Sequence, residues 1–352
     1  MNYSDPVSND PSCSRLRFPV ADATTVMENV FASSVRLQLN PLAKAVLLFR
    51  NPSAGSGQGN ARFHALTKTL ERRGLHPRVV TDRAELAAMV PALLSEGVLR
   101  TVVAAGGDGT AELVANLTPP ETAITVYPLG TENLLAKYLL MTAHPEQVAE
   151  AIVTGNCVSL DAGRYRRSDG EERLFLLMLG CGFDAEVIHH LHRDRRGNIT
   201  HFSYAKPILE AIRRYRYPPI RISCHETPCS PPTRTITAHW AFVFNTPSYA
   251  SGLAICPDAD PFDGHLDVVT FRGGSLMQGL IHLGNVILRR QQRCNTVETV
   301  RTKVVRIESA ETVRYQVDGD PGGSLPVELN VVPNRVCVVV PPSWCPRELA
   351  LP

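Results

Sequence analysis

Nine residues, Val102-Val103-Ala104-Ala105-Gly106-Gly107-Asp108-Gly109-Thr110, constrain this chain more than any others. Small apolar residues run straight into a glycine-rich turn. The apolar half reads as a strand buried on both faces, as in a parallel sheet. Glycine tolerates positive φ and lets another backbone or a ligand approach closely, so the second half reads as a sharp strand-to-helix turn. Amide N–H groups at such a turn, beside a helix N-terminus, suit a phosphate. A carboxylate beside an anion needs a partner, which points Asp108 to a nucleotide site. Gly and Asp are also ordinary turn residues, so a plain turn stays open at this point.

Strand and helix signals alternate around this stretch. Ala45–Phe49 is an apolar run followed at once by Asn51-Pro-Ser-Ala-Gly-Ser-Gly57. A helical pattern comes next, with Phe63, Leu66 and Leu70 on one face and Gly74 at its end. No G-x-x-x-x-G-K-[ST] occurs, so this turn is not a Walker A loop. Pro77–Thr81 reads as the second strand, and Asp82 with Glu85 as a capping box. Leu86, Met89, Val90, Leu93 and Leu94 then match a helical face. Ala123–Leu129 reads as a fourth strand, ending in Gly130-Thr131-Glu132-Asn133 and another helix. The alternation over 42–156 predicts a doubly wound α/β domain that binds nucleotide at the C-terminal ends of its strands.

From 157 to 333 the pattern changes to strand-like runs, among them 158–166, 173–180, 235–245, 303–307 and 327–332, separated by Pro and Gly. This predicts a mostly antiparallel β domain with helices near 184–193, 203–215 and 275–293. Residues 1–41 read as a loose extension with a short helix near Thr25–Ala32, and 334–352 carry a last apolar strand, Val336–Val340.

A length of 352 residues fits two domains, and a net charge of +2 gives no global field for nucleic acid. Nine cysteines are scattered without a Cys-x-x-Cys pair; Cys224 and Cys229 around His225 have no second pair nearby, so free thiols are expected. No apolar run approaches the roughly 20 residues of a membrane span. The N-terminus lacks a basic start and apolar core, so a cytoplasmic protein is expected, free to touch the inner membrane surface.

Six motifs together resemble the diacylglycerol kinase and sphingosine kinase superfamily, specifically its soluble bacterial lipid kinases. They are Asn51-Pro-Ser-Ala-Gly-Ser-Gly57, Gly106-Gly-Asp-Gly-Thr110, Pro128-Leu-Gly-Thr-Glu-Asn133, Gly180-Cys-Gly-Phe-Asp-Ala185, Asp263-Gly-His-Leu-Asp267 and Asp318-Gly-Asp320. The glycine–aspartate motif alone is shared with NAD kinases and phosphofructokinases. The resemblance covers about 45 to 345 and implies a nucleotide-binding α/β domain and a β-sandwich-like domain, with the active site between them and the C-terminal strand returning to the first. It implies transfer of the γ-phosphoryl of ATP to the free hydroxyl of a lipid, with Asp318 as base and Asp320 beside it. ATP would be held by Asn51, Thr81, Gly106, Gly107, Asp108, Gly109, Thr110, Thr131 and Asn133. Mg2+ would be positioned by Asp184, and a second Mg2+ would sit at Asp263 with backbone oxygens of Asp260 and His265. A plain hairpin at Asp318 and a plain Asp-Gly turn at Asp263 are the competing readings.

Glu112, Leu134 and Asp320 depart from the superfamily's pattern, where Asn, an acid and Glu are usual. The acceptor site is least visible. Basic clusters at His189, His190, His192, Arg193, Arg195 and Arg196, and at Arg213, Arg214, Arg216 and Arg221 with Tyr215 and Tyr217, suit either anionic headgroups or solvated helix faces. No nucleic-acid recognition module accompanies them. Transient contact with the inner membrane surface is expected, and a homodimer is compatible. The rival readings are a kinase of a soluble substrate such as NAD, and a nucleotide-binding regulatory protein without catalysis.

Overall fold

Strands that are apolar on both faces need cover on both sides, and the N-terminal half supplies it with helices. The structure, a computed structural model, describes residues 37–50, 57–167, 169–193, 215–247, 249, 253, 255–287 and 294–345. β1 (Leu37–Gln38) and β2 (Ala45–Arg50) lead to α1 (Gly57–Arg72), β3 (His76–Val80), α2 (Arg83–Ser95) and β4 (Leu99–Gly106). Then come α3 (Asp108–Leu117), β5 (Ala123–Pro128), α4 (Leu134–Tyr138) and α5 (Pro145–Thr154). The spatial order β5-β4-β2-β3 is all parallel. Val46, Leu47, Leu48 and Val102 through Ala105 are buried. At α2 only half of the capping box forms: Glu85 N donates to Asp82 Oδ1 at 2.8 Å, while the Glu85 carboxylate pairs with Arg78 at 3.0 Å.

The second half contains β6 (Asn156–Arg166), β7 (Glu172–Phe175), β8 (Met178–Cys181), α6 (Phe183–Arg193), β9 (Ile220–His225), β10 (Arg234–Ala238) and β11 (Trp240–Phe244). It continues with β12 (Leu266–Phe271), α7 (Leu276–Ile287), β13 (Val297–Thr302), β14 (Val304–Glu308), β15 (Arg314–Val317), β16 (Asp320–Ser324) and β17 (Val327–Val339). One sheet is antiparallel, in the order β13-β12-β11-β8-β15-β16. The other is continuous with the parallel strands: β10-β9-β14-β17-β5-β4-β2-β3. β17 makes the join. Its first half pairs with β14, its second half runs parallel to β5, and β6 lies antiparallel along both. Register shifts between Val332 and Val336, where Asn334 has φ +51°. Residues 37–352 therefore cluster as one compact unit. Apolar side chains of both sheets, among them Leu179, Val243, Val268, Ile222, Val305 and Leu329, share one core.

Several expected strands divide. The run 173–180 breaks at Leu176 and Leu177, and 235–245 breaks at His239. The runs 327–332 and 336–340 fuse into β17. β16, Asp-Pro-Gly-Gly-Ser, gave no strand signal; as the edge strand it tolerates Pro321. The helices expected near Thr25–Ala32 and over most of 203–215 lie outside the described residues.

Candidate active site

Two glycine turns meet at the C-terminal ends of β4 and β5. A Cβ on Gly130 would lie 2.5 Å from Gly107 Cα, and one on Gly106 would lie 2.1 Å from Thr110 Oγ1. The approach of the turns thus requires hydrogen rather than methyl at these positions. Asp108 locks them together: its oxygens accept from Leu134 N and Leu135 N, each at 2.9 Å. Asn133 accepts from Gly130 N at 3.0 Å and donates to Gly130 O at 2.8 Å. The α3 N-cap, Gly107, has no side-chain cap, so the positive end of this helix is open to an anion.

The opposite wall is the β15–β16 turn. Asp318 has φ +50° and Gly319 φ +89°, consecutive positive values that a tight hairpin turn needs. That turn aims the Asp318 carboxylate back at the gap between β7 and β8. Leu177 N (2.9 Å) and Met178 N (2.8 Å) donate to Oδ1, and Leu176 N (2.7 Å) donates to Oδ2. The break in the strand thus frees three amides for one side chain. Burial, reinforced by the charge of Asp108, pushes the Asp318 carboxyl up to about 7 against the pull of these amides. Oδ2, with a single amide donor, keeps a lone pair for another hydroxyl.

The two walls face each other closely. A Cβ on Gly109 would lie 3.1 Å from Asp320 Oδ2. Glu112, one turn along α3, is pushed up to about 8 by burial and by the charges of Asp318 and Asp320. Asn116 donates to Glu112 Oε1 at 2.7 Å and accepts from Leu174 N at 2.8 Å, tying α3 to β7. From α6, His192 Nε2 lies 3.2 Å from Gly319 O and 3.5 Å from Asp320 Oδ1.

Gly106, Gly107, Asp108, Gly109, Asn133, Asp318 and Asp320 therefore converge on one cleft. Thr110 joins them through its backbone, because its side chain is buried over Gly106. Thr131 is exposed beside the second turn, Thr81 is exposed at the end of β3, and Asn51 lies outside the described residues.

The side chains expected near magnesium have protein neighbours of their own. Asp184 is buried; its Oδ1 accepts from Tyr249 OH and its Oδ2 from Gln316 Nε2 at 2.9 Å. At the second site, Asp260 Oδ1 accepts from Phe262 N at 3.1 Å, and Asp263 Oδ1 from His265 N at 2.9 Å. His265 Nδ1 lies 2.7 Å from Asp263 O. Arg301 already supplies a cation there, with Nη1 3.1 Å from Asp263 Oδ2 and Nε donating to Asp267 Oδ1 at 3.3 Å. Among the described residues no three acidic, His or Cys side chains are placed to hold a metal. Asp263 Oδ2, although ion-paired with Arg301, accepts no hydrogen bond from the described residues.

The basic-cluster reading also changes. His190 is buried, 3.3 Å from Glu186, and Tyr217 stacks on Phe183 with ring centres 6.2 Å apart. Tyr215 packs edge-on to both rings. These aromatic residues build the core under α6 and do not form a headgroup surface. Arg195, Arg196, Arg213 and Arg214 lie outside the described residues. Sequence reasoning missed Asp161, whose oxygens accept from Gly264 N (2.7 Å) and Asn334 N (2.8 Å) and so join the 260–265 turn to β17. Its signal is an acid set between the apolar residues Leu160 and Ala162 of a strand.

The family profile of the diacylglycerol kinase catalytic domain matches residues 45–165, and that of the YegS C-terminal NAD kinase beta sandwich-like domain matches 178–340. The chain is 28% identical over 313 residues to the "Diacylglycerol kinase" of Mycobacterium tuberculosis, covering 88% of this chain and 99% of that one. It is 24% identical to the "Probable lipid kinase YegS-like" protein of Serratia proteamaculans, over 87% of this chain and 96% of that one. A crystal structure of a diacylglycerol kinase from Bacillus anthracis matches with a TM-score of 0.58 at 19% identity, covering 85% of this chain and 98% of that one.

Proposed function

Since the chain belongs to the diacylglycerol kinase superfamily of lipid kinases, we propose that it transfers the γ-phosphoryl group of ATP to the free hydroxyl of a diacylglycerol-like or sphingoid lipid, with Asp318 as general base. The observation that carries this reading is the juxtaposition of the two walls: the hairpin bearing Asp318 stands against the glycine turn, with Asp320 over Gly109.

The triphosphate lies at the uncapped N-terminus of α3, where backbone amides and the helix dipole favour anionic oxygens. Gly107 and Gly130 leave room for close approach. Asp108 and Asp320 add negative charge to the cleft, which magnesium accompanying ATP would offset. The acceptor hydroxyl donates to Asp318 Oδ2, which removes the proton as the new P–O bond forms and the bond from the γ-phosphorus to the bridging oxygen breaks, releasing ADP. A carboxyl held near 7 is matched to base catalysis at neutral pH.

A lipid acceptor requires contact with a membrane, here the inner surface. Among the described residues no helix is long and apolar enough to cross one. α7 contains no charged residue, exposes Met277 (68%) and Ile281 (47%) one turn apart, and is followed in sequence by Arg289, Arg290 and Arg293. An apolar face followed in sequence by arginines suits an anionic leaflet.

The test is incubation with labelled ATP, magnesium and mixed micelles of diacylglycerol, sphingosine or an isoprenoid alcohol, with NAD as a soluble control. A labelled lipid is expected, and Asp318→Asn is expected to lose about 10²–10⁴ in rate. Labelling of NAD alone, or wild-type turnover by the variant, would remove the reading.

A further inference from the structure

Behind the Asp318 hairpin runs a buried polar chain that neither the nucleotide site nor the acceptor site uses. Gln316 is fully buried on β15, paired across the strands with Gly180 of β8. Its Nε2 donates to Asp184 Oδ2 at 2.9 Å, and its Oε1 accepts from Gly319 N at 2.9 Å. Tyr249 OH donates to Asp184 Oδ1, and the Tyr249 ring packs edge-on to Phe242 at 5.3 Å. The chain reads Tyr249, Asp184, Gln316, Gly319, and it ends on the residue between Asp318 and Asp320.

Resting on the lipid kinase reading, we propose that Asp184 and Gln316 are positioning residues that set the conformation of the Asp318-Gly319-Asp320 turn, and hence the aim of the general base. The argument is one of polarity. Asp184 accepts at both oxygens, from Tyr249 OH and from Gln316 Nε2, and so holds the amide end of Gln316 toward itself. The carbonyl end is then the one presented to Gly319 N. An unanchored glutamine would have two nearly equivalent orientations; this one has a single orientation. The clamped turn contains two consecutive positive-φ residues, a conformation that needs support when the first is not glycine.

The chain also accounts for a sequence feature. A Cβ on Gly180 would lie 2.6 Å from Asp184 Oδ2 and 2.7 Å from Gln316 Nε2. The first glycine of Gly180-Cys-Gly-Phe-Asp-Ala185 thus makes room for the contact to which Asp184, in the same motif, contributes. Other ties hold α6 to β15, notably Glu186 bidentate with Arg314 at 2.8 and 3.0 Å, so the polar chain is not needed merely to dock the helix.

The test is a charge exchange. Gln316→Glu sets two buried carboxylates against each other and is expected to lower kcat by about 10–100-fold, with the KM for ATP nearly unchanged, because only the turn is misaimed. Adding Asp184→Asn restores a donor–acceptor pair: the Asn amide donates to the new carboxylate, which still accepts from Gly319 N. Recovery of most of the lost kcat by the double variant supports the proposal. A double variant that melts like wild type but stays as slow as Gln316→Glu overturns it. If Gln316→Glu does not fold, Gln316→Met carries the test, with the same kcat loss expected. Amide exchange at Gly319 separates this proposal from the functional reading. Should the native chain label no lipid, slow exchange at Gly319 that becomes fast in Gln316→Met still supports the chain of contacts, and equal exchange overturns it.

Discussion

Gly130→Ala probes the contact on which the nucleotide half of the cleft depends. The new methyl would lie 2.5 Å from Gly107 Cα, 2.9 Å from Gly107 N and 2.9 Å from Asn133 Oδ1. Unstrained carbon–carbon contacts lie near 3.5–4.0 Å, so the turns must part by about 1 Å. Overpacking of this size costs about 1–3 kcal/mol. Separation also disturbs the two Asn133–Gly130 hydrogen bonds, each worth roughly 1 kcal/mol. A total of about 3–5 kcal/mol corresponds to a fall in Tm of roughly 5–8 °C. The catalytic effect should be larger in relative terms, because a displacement of about 1 Å at a positioning group can cost 10²-fold. The assay pairs thermal unfolding with ATP-dependent labelling, using Gly59→Ala as control. Gly59 lies within α1 with nothing within 4 Å of a Cβ. The control should be neutral or slightly stabilising, since alanine is the better helix former. If Gly130→Ala matches the control in both Tm and kcat/KM for ATP, the close approach of the turns does not matter, and the reasoning fails.

Four further outcomes follow from the charges and the surface. kcat/KM should rise with pH through about 7 as Asp318 loses its proton, and Asp318→Asn should lack that limb. Glu112, held at about 8 in the fold against 4.5 unfolded, favours the native state most below pH 4.5, and this contribution is lost as pH rises through 8. Glu112→Gln mimics the protonated form; it should keep near-native activity at pH 7, and its Tm relative to wild type should climb from pH 4.5 to 8, whereas a pH-independent Tm difference would refute the assignment. Arg301→Ala leaves buried Asp267 and neighbouring Asp263 without their cation, an expected loss of about 1–3 kcal/mol. Wild-type Tm should be indifferent to EDTA while the variant gains stability from magnesium; EDTA sensitivity in wild type would contradict the built-in cation. Met277→Asp with Ile281→Asp should reduce sedimentation with anionic vesicles while leaving turnover of a short-chain acceptor in detergent intact, and unchanged sedimentation would exclude α7 as the contact.

The alternating α/β half was legible because its signals are local. Apolar runs such as Val102–Ala105, small-residue turns and helical spacing lie within a dozen residues of one another, and each encodes its own element. The pairing of Asp318 with the glycine turn was legible only through resemblance, since 210 residues separate Asp108 from Asp318. Tertiary structure alone decided what those acids touch. No local pattern says that a strand breaks at Leu176 to lend three amides to Asp318, that Asp184 faces a glutamine and a tyrosine, or that Arg301 neutralises the Asp263 turn. Secondary structure follows from neighbours along the chain. The partner of a buried charge follows from which distant strands pack against it, because desolvation makes that partner obligatory without naming it in advance.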